Sequence, residues 1–138
     1  MIRTRKPSLD PTTERKALRR RVKQFYAQFN RESWEQCYAL LDPHLRVAGK
    51  VAQREYTEGL QAFKVVYRSV KPWYVRISPH LGATSNKHDD RPFAYVYIVW
   101  QDAAGGFHMF RERWVRQARR WYTRVAGLVA NVQKAARD

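Results

Sequence analysis

The sequence predicts a single α+β domain in which N-terminal helices pack on a strongly curved antiparallel sheet. Apolar residues recur at helical spacing in the first half of the chain, and the period changes to two from about residue 71. Short turn sequences join the later, strand-like segments, so the strands should pair as antiparallel hairpins. Helices followed by consecutive hairpins are typical of α+β proteins. A long helix laid across a bent sheet would close a cone and leave room for a pocket.

The first helix has the clearest pattern. Asp10 and Pro11 predict its start, as N-cap and first helical residue. Its apolar stripe should be buried against the sheet. The stripe consists of Leu18, Val22, Phe25, Tyr26 and Phe29. The opposite face is basic and should be exposed to solvent.

Two further helices are expected. A shorter one carries Trp34, Cys37 and Leu41 and should stop at Asp42-Pro43, because the residue before proline is pushed out of the helical region. Residues 44–51 should be irregular or a short strand pair, and a third helix should run over about 53–70. Leu60 and Phe63 lie on its apolar stripe.

Four strands should follow, over about 73–78, 92–101, 107–116 and 120–128. The second is apolar on both faces, which indicates a central strand. Gly105-Gly106 predicts the hairpin into the third strand. Residues 117–119 should make the tight turn into the fourth.

Composition sets the domain organisation. The chain has 138 residues, 44% hydrophobic and 14% aromatic, which is enough for one domain core and argues against disorder. We expect a basic arm over 1–11, one domain over 12–128 and a basic tail over 129–138.

Cys37 is the only cysteine, so an intrachain disulfide is excluded, and we expect a buried thiol. Neither a signal peptide nor a membrane span is visible, so a cytoplasmic location is expected.

The net charge is +15, from 27 basic and 12 acidic residues. Such an excess favours anionic partners such as nucleic acid. The alternative is that the charge only solvates the surface. No base-reading module is visible, so nucleic-acid binding would depend on the arginine-rich surfaces alone.

The order of the motifs resembles the nuclear transport factor 2-like superfamily, whose members share a cone-shaped α+β fold. The resembling stretches are Phe25–Asn30, Ser33–Glu35, Leu40–Pro43, Glu112–Gln117 and Arg120–Tyr122. Together they lie in order over residues 12–128. The sequence departs from the family at Gln117-Ala118-Arg119, where an acidic-Gly turn is usual. The resemblance implies a homodimer through the sheet; it does not imply one activity, since members include isomerases, dehydratases, cyclases and non-catalytic proteins.

The third strand carries the best acid/base candidates. His108 and Glu112 lie on one face, interleaved with Phe110 and Trp114. A carboxyl enclosed by aromatic rings has its pKa shifted towards neutrality, as acid/base catalysis requires. We expect this face to point inward, since the opposite face carries Arg111 and Arg113. Their two guanidinium groups are costlier to desolvate together than one carboxylate and one imidazole. The alternative is that Glu112 pairs with an arginine on the surface and His108 lies at a solvated hairpin end.

The remaining candidates are aromatic or basic. Tyr95 and Tyr97 would polarise a substrate oxygen, or pack with only their hydroxyls in water. The ligand-binding set is then Tyr95, Tyr97, Phe110 and Trp114. Arg111 and Arg113 would bind an anion if they faced a cavity.

No metal site or cofactor is predicted. His80, His88, Asp89 and Asp90 lack a recognised ligand spacing, and the sequence has no phosphate loop or nucleophile elbow. The leading interpretation is a module that binds a small apolar or anionic ligand, or another protein. The alternatives are a lyase or isomerase with a buried acid/base, and an anionic-polymer binder. The sequence leaves open whether the protein is an enzyme.

Overall fold

The computed structural model describes residues 10–47, 50–67, 72–77, 91–101 and 104–124. It shows an α+β domain with four helices followed by four strands. The helices are α1 (Pro11–Asn30), α2 (Trp34–Ala39), α3 (Pro43–Arg46) and α4 (Gln53–Tyr67). The strands are β1 (Pro72–Ile77), β2 (Phe93–Gln101), β3 (Phe107–Gln117) and β4 (Arg120–Thr123). They form one antiparallel sheet in the order β1-β2-β3-β4.

Helix α1 begins as the sequence predicts. The Asp10 side chain accepts a hydrogen bond from the Thr12 amide, and Pro11 is the first helical residue. The predicted apolar stripe is confirmed, because each of its members is at most 1% exposed. These members are Leu18, Val22, Phe25, Tyr26 and Phe29. The helix contacts β1 and β4, so it lies against the sheet.

A polar contact holds α1 to the last hairpin. Glu14 Oε2 accepts hydrogen bonds from Trp121 Nε1 at 2.8 Å and from Arg116 Nε at 3.1 Å. The indole keeps its ring in the core while its N–H finds a partner. Trp121 is 1% exposed, so this contact lies at the border of the core.

The segment after Asp42 differs from the prediction. Residues 44–51 were expected to be irregular, but Pro43–Arg46 form the short helix α3. Asp42 caps it, since Oδ1 accepts from the His44 amide at 3.0 Å. The second helix also ends earlier than predicted, since α2 stops at Ala39 and Leu41 forms an isolated parallel bridge with Thr123. Asp42-Pro43 starts α3 in the way that Asp10-Pro11 starts α1.

Strand β2 is central, as its two-sided apolarity predicts. It pairs with β1 on one side and with β3 on the other. Ala94, Val96 and Ile98 face the helices and are fully buried. This face of β2 and the apolar stripes of α1, α2 and α4 form one core. Phe63 of α4 belongs to it, and Cys37 of α2 is buried there as expected.

The turn between β3 and β4 is tight and strained. Ala118 and Arg119 have φ values of 50° and 65°. Two consecutive left-handed residues are the pattern of a type I′ hairpin turn, for which Asn-Gly is the preferred pair. The sequence places two residues with Cβ atoms there, and each bears a steric cost.

We expect the double change Ala118→Asn with Arg119→Gly to stabilise the domain by about 1 kcal/mol. Both new residues adopt a positive φ more readily than alanine and arginine do. Urea unfolding of the two proteins measures the change. A single Ala118→Val variant serves as the opposite control, because a β-branched side chain is disfavoured at positive φ, and it should lower stability. Equal urea midpoints in all three proteins would contradict a steric cost at Ala118 and Arg119.

Some predicted features lie outside the described residues. These are the arm over 1–9, the end of the third helix over 68–70, the polar segment with His80, His88, Asp89 and Asp90, the last strand beyond 124 and the tail over 129–138. In the described part of the chain, none of the helices has the length and apolar character needed to cross a bilayer.

Candidate functional site

Glu112 is buried at the centre of the domain. It lies on β3 opposite Val96 of β2, and both side chains face the helices. Glu112 is 5% exposed. Its carboxylate accepts a hydrogen bond from the Tyr26 hydroxyl of α1 at Oε1 and one from Trp114 Nε1 at Oε2, the latter at 3.1 Å. The predicted inward orientation is therefore observed for Glu112 and for Trp114, which is fully buried.

Burial sets the protonation of this cluster. Desolvation raises the pKa of Glu112 to about 7, against the lowering effect of the hydrogen bonds from Tyr26 and Trp114. The pKa of Tyr26 is also raised, first by burial and then by the negative charge of Glu112. At neutral pH the carboxyl is thus poised between its two forms while Tyr26 keeps its proton. A carboxyl of this kind can accept or donate a proton.

Two further groups lie close to this carboxyl. Tyr56 of α4 is 1% exposed, and its hydroxyl has no hydrogen-bond partner among the described residues. Burial, followed by the charges of Cys37 and Glu112, raises the pKa of Tyr56. Burial also raises the pKa of Cys37 to about 12, so its thiol stays protonated and is a poor nucleophile.

The structure does not bring His108 together with Glu112. The two share a face of β3 but lie four residues apart, which is about 13 Å along a strand. His108 is half-buried near the β2–β3 turn, opposite Trp100. Phe110 lies between them and packs on Phe63, with ring centroids 5.6 Å apart. A direct proton transfer between His108 and Glu112 is therefore excluded.

Tyr95 and Tyr97 lie on the other side of the sheet from Glu112. Their partners in register are Arg113 and Arg111, whereas Glu112 is opposite Val96. Side chains of neighbouring residues in a strand point to opposite faces. The structure therefore does not bring either tyrosine together with Glu112. The predicted ligand-binding set is divided, with Phe110 and Trp114 on the inner face and the two tyrosines on the outer.

We call this second side the outer face; it comprises the alternate residues of β2 and β3 that point away from the helices. Arg111 stacks over the Tyr95 ring, with Cζ 4.7 Å from the centroid. Arg113 stacks over Phe93 at 4.9 Å. Among the described residues of β2 and β3, the outer face carries no carboxylate. Arg111 and Arg113 thus line no cavity with Glu112, but they form two adjacent cation–π pairs.

The structure also contains an ion-pair cluster that the sequence did not predict. Asp42 is fully buried and accepts from Arg91 at 2.6 Å and 2.9 Å. Arg124 Nε lies 3.2 Å from Asp42 Oδ2. Burial raises the pKa of Asp42, but hydrogen bonds from Arg91 and His44 and the charges of the two arginines lower it below its usual value. In the sequence, Asp42 stands next to apolar residues and before a proline. This pattern indicates a helix end, but it does not indicate that Arg91 and Arg124 are the partners of Asp42.

Groups of histidine, cysteine, aspartate or glutamate able to hold a metal ion do not occur in the parts of the chain that the structure describes. No protein-family model matches the sequence, and comparisons with curated proteins and with solved structures give no significant match. The resemblance to the nuclear transport factor 2-like superfamily therefore stays a prediction.

Proposed function

We propose that the domain binds single-stranded nucleic acid through the outer face of β2 and β3. The observation that carries this proposal is the pair of stacks in which Arg111 covers Tyr95 and Arg113 covers Phe93. Guanidinium planes and aromatic rings are the groups on which unpaired bases stack, and arginine also binds phosphate. Each arginine stacks on the ring diagonally across from it, two residues from its partner in register. Phe93 is 7% exposed, so the Arg111–Tyr95 stack and the neighbouring Tyr97 would supply the accessible surface for a base.

Charge supports a polyanion as the occupant. Arg111 is exposed, and it makes no ion pair with any described residue. The net charge of +15 gives a long-range attraction for any anionic chain. Phe107 and Met109 are 60% and 65% exposed at the turn end of the same strand, which extends the contact surface with apolar groups.

A homodimer is the competing occupant of this face. The family resemblance implies pairing through the sheet, and a cone-like architecture would leave the outer face available for it. A two-fold dimer through this face would bring two copies of the exposed Arg111 into one interface, and the described residues of β2 and β3 place no carboxylate on this face. Like charges placed across an interface are unfavourable. A nucleic acid is favoured because it brings negative charge to Arg111.

We expect Arg111→Gln to weaken binding of a labelled single-stranded oligonucleotide by about tenfold, measured by fluorescence anisotropy at constant salt. The dependence of the logarithm of the affinity on the logarithm of salt concentration should also become shallower by about 0.7, the value of one phosphate contact on a single strand. Arg111→Lys should recover the salt dependence but little of the affinity, because lysine keeps the charge and loses the planar stack.

Arg19→Gln is the matched control. It removes the same charge from an exposed position of α1, away from the sheet. Its effect should be below about threefold. Equal losses for the two variants would show that binding follows net charge alone. An unchanged affinity in Arg111→Gln, or a dimer that dissociates only in that variant, would overturn the proposal.

A second candidate function is the binding of a small apolar ligand, or acid/base chemistry, at Glu112. The observation in its favour is the raised pKa of a buried carboxyl that accepts hydrogen bonds from Tyr26 and Trp114. Tyr26 would take the polarising role that the sequence suggested for Tyr95 or Tyr97. Glu112 is 5% exposed, so a ligand would have to displace Tyr26 or Trp114 to reach its carboxyl. Such a ligand would shift the carboxyl carbon resonance of Glu112, and a screen without this shift would remove the candidate.

A further inference from the structure

A second basic feature lies at the edge of the sheet, away from the stacked pairs of β2 and β3. Helices α1 and α2 and strand β4 enclose a cleft of about 260 Å³. Its polar lining consists of Arg21, Gln24, Gln28, Gln36, Arg120 and Tyr122. None of the described residues that line it carries a carboxylate, and two guanidinium and three amide groups supply hydrogen-bond donors. We refer to it as the edge cleft.

Arg21 is held in a fixed position in the edge cleft. Its Nε donates to the Trp121 carbonyl of β4 at 2.9 Å, and its Nη1 donates to Gln24 Oε1 at 3.4 Å. Its guanidinium also lies over the Tyr122 ring, 5.4 Å from the centroid, and Arg46 lies 5.9 Å from the same centroid. A guanidinium that is held by two hydrogen bonds and stacked on a ring is pre-organised, so it loses less conformational freedom when its remaining N–H groups bind a ligand.

Arg21 and Arg120 both line the edge cleft, and none of its other described lining residues is negatively charged. The pKa of Arg21 is lowered, first by burial and also by the charge of Arg120. Two like charges in a partly desolvated cleft repel each other, and an anion between them would relieve this repulsion. Arginine pairs bind phosphate oxygens through charge-assisted hydrogen bonds.

We propose that the edge cleft binds a phosphate group, either free or at the end of a nucleic-acid strand. The arrangement fits this chemistry in three ways. The donors are guanidinium and amide N–H groups, the volume lies below the range of drug-sized pockets, and no acid on the lining repels an anion. The inference does not depend on the outer face, since it concerns different residues on a different part of the sheet.

The test is calorimetric titration with inorganic pyrophosphate at constant ionic strength. Arg120→Gln should weaken the affinity by about ten- to a hundredfold, the value of one charged hydrogen bond. Arg119→Gln is the matched control: it removes the same charge from the neighbouring, exposed residue, which does not line the cleft. Its effect should stay below about threefold. Equal weakening in the two variants, or no binding by the unmodified protein, would overturn the proposal.

Two further measurements separate this site from the outer face and identify the source of the phosphate. Arg111→Gln should leave pyrophosphate binding unchanged, and a loss there would place the site elsewhere. An oligonucleotide with a 5′-phosphate that binds more tightly than its 5′-hydroxyl form, only while Arg120 is present, would assign a terminal phosphate. Equal binding of the two oligonucleotides, with pyrophosphate still bound, would assign a free phosphate compound.

Discussion

Replacing Asp42 by alanine is expected to lower the free energy of unfolding by about 3–5 kcal/mol. The carboxylate is fully buried and accepts two hydrogen bonds from Arg91. Arg124 lies against it as well. Alanine would remove the buried carboxylate that Arg91 and Arg124 share and would remove the cap of α3. Urea denaturation with the linear extrapolation measures the change.

Glu58→Ala is the matched control for this variant. It breaks the pair between Glu58 and Arg54, 3.1 Å apart, whose side chains are 63% and 91% exposed. An exposed pair contributes little, so the stability should be almost unchanged. A similar small loss of unfolding free energy in both variants would contradict the role of Asp42 as the buried counterion of Arg91 and Arg124.

The pH dependence of the Asp42 contribution has a defined sign. Its pKa is lowered in the folded state, so the folded protein binds this proton less readily than the unfolded chain. The stabilisation is present above the unfolded pKa of about 3.8 and is lost as the pH falls through the lower folded value. The difference in stability between the unmodified protein and Asp42→Ala should therefore shrink in acid.

Glu112 is expected to make the domain less stable as the pH rises from about 4.5 to about 7. Its pKa is raised by burial in the folded state, so in this interval the folded protein binds more protons than the unfolded chain. The stabilisation that Glu112 contributes is fully present at a pH below its unfolded pKa. It is lost as the pH rises from that value to the folded pKa. The size of the loss is on the order of 3 kcal/mol.

The measurement is the free energy of unfolding of the unmodified protein and of Glu112→Gln across this pH range. Glutamine keeps the shape and a carbonyl acceptor but does not titrate, and it turns an amide N–H₂ towards either Tyr26 or Trp114. The variant should therefore start less stable in acid and show the shallower slope. Only the difference between the two slopes reports on Glu112, because the two proteins share every other titratable group. Parallel curves would contradict a raised pKa.

The helical half of the fold could be predicted because its signals are local. The stripe from Leu18 to Phe29 defines its own buried face, and the Asp10-Pro11 pair defines the helix start. Asp42-Pro43 was expected only to stop a helix that carries Leu41. Helix α2 instead ends at Ala39, with Leu40 as its C-cap, and the Asp-Pro pair starts α3.

The inner face of β3 could also be predicted, since desolvating Arg111 would cost more than burying Glu112. The same argument could not place Tyr95 and Tyr97, because β2 is apolar on both sides. Their face is set by the register that pairs Val96 with Glu112, and a register depends on contacts between distant segments. Arg91 joins Asp42 across 49 residues, which no local pattern indicates.

The most direct test of nucleic-acid binding by the outer face is an NMR titration with a single-stranded oligonucleotide. We expect the largest shifts in the rings of Tyr95 and Tyr97 and in the Nε–H group of Arg111, which are the accessible groups of the outer face. The core resonances of Val96 and Glu112, on the opposite side of the same strands, should move little. Shifts confined to the exposed basic residues of α1, with the outer face unperturbed, would contradict the account.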